Sequence, residues 1–292
     1  MKVEVLVNLF VNGVSTGMLI FLLASGLTLI FGLMSVLNFA HGGLFAWGAY
    51  TGVWLFNETG SFILAIIGAI AMGMLLGWIL EKFLISPVYG NHVLQLLVTL
   101  GGMLVLTECL KVFWGPNPIR ASLPTWLQGS LVFDGIILIK YRLFVIVIGL
   151  IIYAGLLLLL KKTKIGLMIR AGVIDKEMVQ ALGINIKAIF SFVFLLGAGM
   201  AALGGSLLAP YSGVVYAEMG MQYAILAFIV VIIGGMGSVQ GSAVASLIVG
   251  IAGAFIAYYL PDLSLAMNML LLVFVLLVKP TGFFGEKGVS SS

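Results

Sequence analysis

Apolar runs near 62–81, 93–114, 142–160, 188–209, 221–236, 241–259 and 263–278 alternate with short polar stretches along this chain. Helices that cross a bilayer need roughly 20 mostly apolar residues, and these runs qualify as candidate spans. Before them, Val5 to Asn57 contains no Asp, Glu, Lys or Arg, a stretch too long for one span and awkward for three. The pattern predicts an all-α polytopic membrane protein of eight to ten transmembrane helices, forming a single transmembrane domain over residues 1–292. Composition agrees: with 62% hydrophobic and 8% charged residues, the chain has far more apolar surface than one water-soluble core could hide. The N-terminus has Asn8 and Asn12 in its apolar stretch and no convincing small-residue cleavage site, so it reads as retained.

The 38 glycines fall mainly within the apolar runs. Between lipid-embedded helices, small residues let backbones approach closely, and Gly197, Gly199, Ala201, Ala202, Gly204 and Gly205 predict one such packing face. Two other segments, Phe31 to Gly48 and Ile233 to Ser242, mix glycine with polar residues and predict broken or re-entrant helices. Irregular backbone at membrane depth is tolerated only inside protein or beside water. Asn38, His41, Gly42 and Gly43 in the first segment, and Gly235, Gly237 and Ser238 in the second, are the candidates for lining a pathway. A buried hydrogen-bonded anchor is the competing role for His41. The two segments share a loose G-x-M-S-V and G-M-G-S-V likeness, which an internal duplication would leave and which glycine-rich apolar sequence also produces by itself.

Charge adds orientation. Six of the 14 basic residues lie between Lys161 and Lys187, and Lys and Arg beside a span resist translocation. This island is therefore expected in the cytoplasm. Counting outward puts 115–141, 58–61, 210–220 and 259–262 outside, and 82–92, the turn near Gly237 and the tail inside. Glu58, Asp134, Glu218 and Asp262 make the outer side partly acidic, and Lys279 and Lys287 outnumber Glu286 in the tail. An even number of crossings in 5–57 puts the N-terminus outside and an odd number inside; Lys2 favours inside, which gives eight or ten spans. Trp54, Trp114, Trp126, Tyr211 and Tyr259 fall near outer boundaries, as an interfacial aromatic belt requires. The net charge of +4 reports membrane orientation rather than nucleic-acid binding.

Within the island, Asp175, Lys176, Glu177 and Gln180 form a short helical pattern ending at Gly183, a common helix stop. The segment reads either as a docking helix for a soluble partner or as a loop that only satisfies topology. Energy-converting chemistry is missing: there is no Walker A pattern, no H-E-x-x-H and no G-x-S-x-G elbow. His41, His92 and the single cysteine Cys109 leave a metal site almost no ligands. The chain is expected to be no enzyme and to bind no metal or cofactor. Glu108 is the only carboxylate well inside a predicted span, and Lys111 three residues on makes an ion pair reaching outward the simpler reading than a proton or ion site. Asn8, Asn12, Gln95, Thr99 and Asn268 read as hydrogen-bonding glue between helices.

Four stretches then carry a resemblance: Gly26 to Tyr50 (GLTLIFGLMSVLNFAHGGLFAWGAY), Arg170 to Asn185 (RAGVIDKEMVQALGIN), Gly197 to Ala209 (GAGMAALGGSLLA) and Gly234 to Gly241 (GGMGSVQG). In that order they resemble the LivH-type branched-chain amino acid permease family, membrane subunits of bacterial ABC importers. In importer permeases a cytoplasmic E-A-A-x-x-x-G helix docks in a groove of the ATPase. Glu177 and Gly183 fit that pattern here, while Met178 and Val179 replace the alanines. The resemblance implies ATPase-coupling roles for Arg170, Asp175, Glu177, Ala181 and Gly183. It also implies a second homologous permease, two cytoplasmic ATPases that use ATP and Mg2+, a periplasmic or lipid-anchored solute-binding protein, and a place in the bacterial inner membrane. Family substrates include leucine, isoleucine, valine, other amino acids, and amides such as urea. A secondary transporter or channel is the competing reading, which the glycine-rich breaks would also suit.

Overall fold

In the computed structural model, which describes residues 3–133, 136–264 and 266–284, the apolar runs become a bundle of helices with the first helix at its centre. Among the described residues, six helices are long and apolar enough to cross a membrane: α1 (Val3–Met34), α3 (Phe62–Ile79), α4 (His92–Trp114), α5 (Lys140–Lys162), α8 (Ile186–Ser212) and α10 (Val239–Tyr259), with α3 continued by a π-helical turn and a 3-10 turn to Val88. Two further apolar helices are shorter, α9 (Met219–Gly234) and α11 (Met267–Val278). The remaining helices are α2 (Ala40–Thr59), α6 (Lys164–Ile174) and α7 (Lys176–Ala181).

The most apolar span is also the least buried, as expected where lipid rather than water surrounds the bundle. The most apolar window, in α5 at mean hydropathy 3.1, is only 17% buried, whereas that of α1, at 2.2, is 89% buried. Lipid accepts a wholly apolar surface, while the centre needs small residues that let backbones meet. A Cβ on Gly26 of α1 would lie 2.6 Å from the Gly197 carbonyl oxygen of α8, and one on Gly205 would lie 1.9 Å from that of Phe45 in α2. The small residues of α8 therefore do not form one face: Gly197 meets α1, Ala202 and Gly205 meet α2, and Ala198 meets Gly73 and Gly77 of α3.

The charge-free stretch from 5 to 57 holds two helices, neither one nor three. Every residue of α2 from Ala40 to Val53 is buried, which explains how a segment rich in Gly, Ala, His and Thr can sit among apolar helices. Two pairs of short antiparallel strands qualify the all-α expectation. Ile119–Arg120 (β1) pairs with Val214–Val215 (β4), and Ser130–Phe133 (β2) with Ile136–Ile139 (β3). They lie in the segments that charge counting places outside, where backbone that leaves the helices needs new hydrogen-bond partners. Lys2, Asp134, Glu286 and Lys287, which entered the charge reading, lie outside the described residues.

Segments expected on one side of the membrane do gather at one end of the bundle. The β1–β4 pair joins 119–120 to 214–215, and Lys111 contacts Glu218 at the same end. At the opposite end Gly172 packs against Leu33, Gly237 against Gly32, and Tyr89 against Phe190.

Candidate functional site

The basic island folds as two helices with well-formed ends. Thr163 caps α6, its side chain accepting from Gly166 N at 3.0 Å, and Asp175 caps α7, accepting from Met178 N at 2.9 Å. Such caps satisfy the amide groups a helix start leaves without intrahelical partners. At the far end of α7, Gly183 N donates to Gln180 O at 2.9 Å and Ile184 N to Val179 O at 3.3 Å. These two bonds make a Schellman motif, with Gly183 in the left-handed region at φ +80°. The Cβ position of Gly183 is open space, so its requirement for glycine is conformational and not steric.

The island turns apolar residues outward. Ile174, Met178 and Leu182, each four residues apart, are 87%, 62% and 73% exposed. Asp175, Glu177, Ala181, Gly183 and Arg170 are also exposed. Inward, Ile169 and Gly172 are buried, and a Cβ on Gly172 would lie 3.0 Å from Leu33 Cδ1 and 3.1 Å from Ile186 Cδ1. The segment thus packs Ile169 and Gly172 against the ends of α1 and α8 while leaving Ile174, at the end of α6, and Met178 and Leu182, one turn apart along α7, exposed.

The two glycine-rich segments meet where Gly32 faces Gly237, but their candidate pathway residues occupy different levels. His41 Nε2 lies 3.1 Å from Leu23 O, Trp47 Nε1 donates to Leu106 O at 2.9 Å, and a Cβ on Gly42 would lie 2.1 Å from Gly220 O. Gly43 meets Leu106 and Met103 of α4. α2 therefore begins inside the bundle, beside the middle of α4. Asn38 and His41 are fully buried, and both amide atoms of Asn38 and Nδ1 of His41 find no hydrogen-bond partner among the described residues. By contrast, Gly235, Gly237 and Ser238 form the α9–α10 turn against Gly32, nine residues along α1 from Leu23 and so roughly 14 Å away. Ser238 caps α10 through Gly241 N at 3.0 Å. The likeness between 32–36 and 235–239 does not extend to backbone: Ser35 has φ 54°, and its counterpart Ser238 has φ −97°.

The carboxylate that the sequence singles out is not the one that is buried. Glu108 is 68% exposed and pairs with Lys111 at 3.0 Å, as the outward-reaching reading expected, and Lys111 adds Glu218 at 2.9 Å. This contact with Lys111 lowers the Glu218 carboxyl below its ordinary range. Among the described residues, the buried carboxylate is Glu81, 6% exposed in the π-helical turn after α3. Tyr89 donates to Glu81 Oε1 at 2.9 Å, and burial, reinforced by the neighbouring carboxylate, raises the Tyr89 phenol well above its usual range. No local sequence pattern marks a π turn, and Glu81 falls at the polar edge of its run.

Beside that pair lies a cavity of about 400 Å³ at the island end of the bundle, with Met34, Ser35, Tyr89, His92, Gln95 and Phe190 in its walls. Gln95 donates to Val88 O at 3.2 Å and Thr99 to Leu37 O at 3.2 Å. Thr99 thus ties α4 to the 35–39 link as interhelical glue, whereas Asn8 donates to Glu4 O in its own helix. Oδ1 of both Asn12 and Asn268 lacks a partner among the described residues.

These features define a polytopic membrane protein with a close-packed core and a structured basic segment at one end. Residues 9–278 match the family model described as "Branched-chain amino acid transport system / permease component". The chain is 31% identical to the high-affinity branched-chain amino acid transport system permease protein LivH of Escherichia coli K12, over 95% of each. It is 30% identical to BraD of Pseudomonas aeruginosa, a permease protein of the same description, over 96% of this chain and 95% of that one. The probable LivH of Methanocaldococcus jannaschii is 29% identical, over 91% of this chain and 89% of that one. Among solved structures, a chain of PsaBC from Streptococcus pneumoniae in complex with Fab aligns loosely, at TM-score 0.46 and 15% identity over 94% of this chain and 91% of that one. The chain belongs to the branched-chain amino acid permease family, the permease subunits that its four motif stretches resemble.

Proposed function

We propose that this chain forms one half of the translocation pathway of an ATP-driven importer for branched-chain or related hydrophobic amino acids, in a bacterial inner membrane. Two cytoplasmic ATPases supply ATP and Mg2+ chemistry, a second homologous permease completes the pathway, and a periplasmic or lipid-anchored binding protein delivers the solute. The observation that carries this reading is the packing of the island: Ile174, Met178 and Leu182 are exposed, while Gly172 is seated against Leu33 and Ile186. Exposed apolar side chains in a basic segment suit a socket on a soluble partner. When ATP closes the ATPase pair, α6 and α7 are pushed, and the contact at Gly172 passes that movement to the ends of α1 and α8.

In this reading the island end is cytoplasmic. α1–α5 and α8–α11 make nine crossings, with the start of α1 outside. α2, beginning within the bundle after the 35–39 link, is the re-entrant break in the first glycine-rich segment. Asn38 and His41 at its start offer polar groups at depth, where an irregular backbone is sheltered by protein. The test is uptake of labelled leucine by the chain reconstituted with its partners. Uptake should require ATP on the island side and the binding protein on the other. Uptake by this chain alone, driven by a proton or sodium gradient, would overturn the proposal.

A further inference from the structure

We propose that the elbow between α5 and α6 binds an anionic phospholipid, with its headgroup on Lys161, Lys162 and Lys164 and an acyl chain along the exposed side of α5. The inference rests on the transport reading for its side of the membrane, and deepens it by giving the coupling segment a fulcrum held by lipid.

The charge at the elbow is not balanced within the chain. Lys161 and Lys162 end α5 and Lys164 begins α6, and all three are exposed. No Asp or Glu occurs between Asp134 and Asp175. Among the described residues the ion pairs are those of Lys111 with Glu108 and Glu218, at the opposite end of the bundle. Clustered lysines at the cytoplasmic end of a span attract the anionic headgroups of that leaflet.

The turn that carries these lysines is closely built. Thr163 Oγ1 donates to Leu159 O of α5 at 2.6 Å and accepts from Gly166 N of α6 at 3.0 Å, so one hydroxyl ties the two helices together. Gly166 completes the elbow, because a Cβ there would lie 2.2 Å from Leu159 O and 2.5 Å from Leu160 O. The lysine stems therefore leave an ordered backbone, which lowers the cost of gathering them around one phosphate.

An apolar strip runs along α5 into the same lysines. Val147, Ile151 and Leu158 are 52%, 58% and 60% exposed, and Ala154 and Gly155 are exposed between them. Spaced by three or four residues, these positions share one side of the helix and lead to Lys161 and Lys162. The strip is about 16 Å long and lowest at Gly155, whose Cβ position is open space, so an acyl chain can lie against the helix there. Of the candidate spans, α5 is the most apolar and the least buried. An amphiphile with an anionic head matches both parts of the site, whereas a soluble anion matches only the lysines. A headgroup so placed anchors the Lys164 end of α6 at the membrane surface, while Gly172, toward its other end, meets Leu33 and Ile186.

Native mass spectrometry of the purified full chain in neutral detergent, titrated with dioleoylphosphatidylglycerol or dioleoylphosphatidylcholine, tests this. The anionic lipid should bind more tightly. A lysine near a headgroup contributes about fivefold, so replacing all three lysines with Gln should weaken phosphatidylglycerol by about tenfold or more and leave phosphatidylcholine alone. Replacing them with Arg keeps both the charge and the topological signal, and should keep the binding. Gly155→Trp, at an open position, leaves every charge in place and should weaken binding by crowding the strip. Lys82→Gln with Lys187→Gln, which removes two exposed lysines elsewhere at this end, should change little. Equal affinity for the two lipids, unchanged binding in both the triple-Gln and Gly155→Trp variants, or displacement of the lipid by glycerol 1-phosphate overturns the site. So does loss of ATPase association by the triple-Gln variant with its lipid binding intact, since the lysines would then serve the ATPase. ATP-driven leucine uptake by the assembled transporter, in phosphatidylcholine vesicles with and without phosphatidylglycerol, separates the two ideas. Phosphatidylglycerol should raise leucine transported per ATP in the parent and not in the triple-Gln variant. ATP-driven uptake without selective lipid binding removes only this inference, and selective lipid binding without ATP-driven uptake removes the transport reading.

Discussion

Gly172 of α6 faces Leu33 of α1 so closely that a methyl group at Gly172 would lie 3.0 Å from Leu33 Cδ1. Leu33 lies two residues before Ser35 and the link into α2, so the island touches α1 at the point where the chain leaves regular helix. Both neighbours of the added methyl are ends of flexible side chains. Gly172→Ala should therefore be tolerated, with transport within about twofold of the unaltered protein, since small shifts in packing cost little. Gly172→Leu should wedge the contact apart, with costs of about 1–3 kcal/mol typical of overpacking. In reconstituted complexes it should assemble with the ATPases while the ratio of leucine transported to ATP hydrolysed falls. An unchanged ratio would show that this contact transmits nothing.

The end of α7 gives a second test, in which the strain is conformational. Gly183 sits at φ +80° with open space at its Cβ, so Gly183→Val costs about 1 kcal/mol or more through the left-handed backbone alone. Gly183→Asn, which tolerates that region, should behave nearly as the parent. The valine variant should insert normally yet lose ATPase association or coupling, and Glu177→Lys should do the same by reversing a charge at the exposed surface of α7. Normal transport and normal ATPase binding in both variants would reduce the island to a topological loop.

Much of this was legible in the sequence. The helical pattern from Asp175 to Gln180, the Gly183 stop and the basic island are local signals, and each appears where residue chemistry requires it. What hid from the sequence depends on packing. Residues 5–57 look uniformly apolar, yet they form two helices because α2 is enclosed by protein and tolerates Gly, His and Thr that lipid would not. The small residues of α8 look like one stripe but serve three neighbours, since the stretch from Gly197 to Ala209 is buried on every side. Glu81 was overlooked because only the π turn and Tyr89, eight residues on, make it buried.

That last point predicts a contrast between two carboxylates. Glu108→Gln removes half of an exposed ion pair, and such pairs contribute about 0–1 kcal/mol; thermal stability and transport should hardly change. Glu81→Leu leaves the Tyr89 hydroxyl without its acceptor in a part-buried setting, and an unpaired buried donor costs about 1–3 kcal/mol. A lower midpoint of thermal unfolding in nanodiscs should result, and combining Glu81→Leu with Tyr89→Phe should recover part of the loss. If Glu108→Gln proves the more damaging change, the assignment of exposed and buried carboxylates is reversed.

Orientation underlies every functional statement, and exposed positions at the two ends of the bundle allow a direct test. Ser122 lies between β1 and β2, and Gln180 lies in α7; both are exposed. In a background with Cys109 replaced, Ser122→Cys and Gln180→Cys variants can be treated in whole cells with a membrane-impermeant thiol reagent. Ser122→Cys should react, and Gln180→Cys should react only after the membrane is opened. The β1–β4 pairing fixes 119–120 to 214–215, so a cysteine at Ser212, whose residue is exposed beside β4, should follow Ser122 and not Gln180. Labelling of Gln180→Cys alone in intact cells would invert the bundle, place α6 and α7 away from any cytoplasmic ATPase, and remove the physical basis for ATP-driven coupling through Gly172.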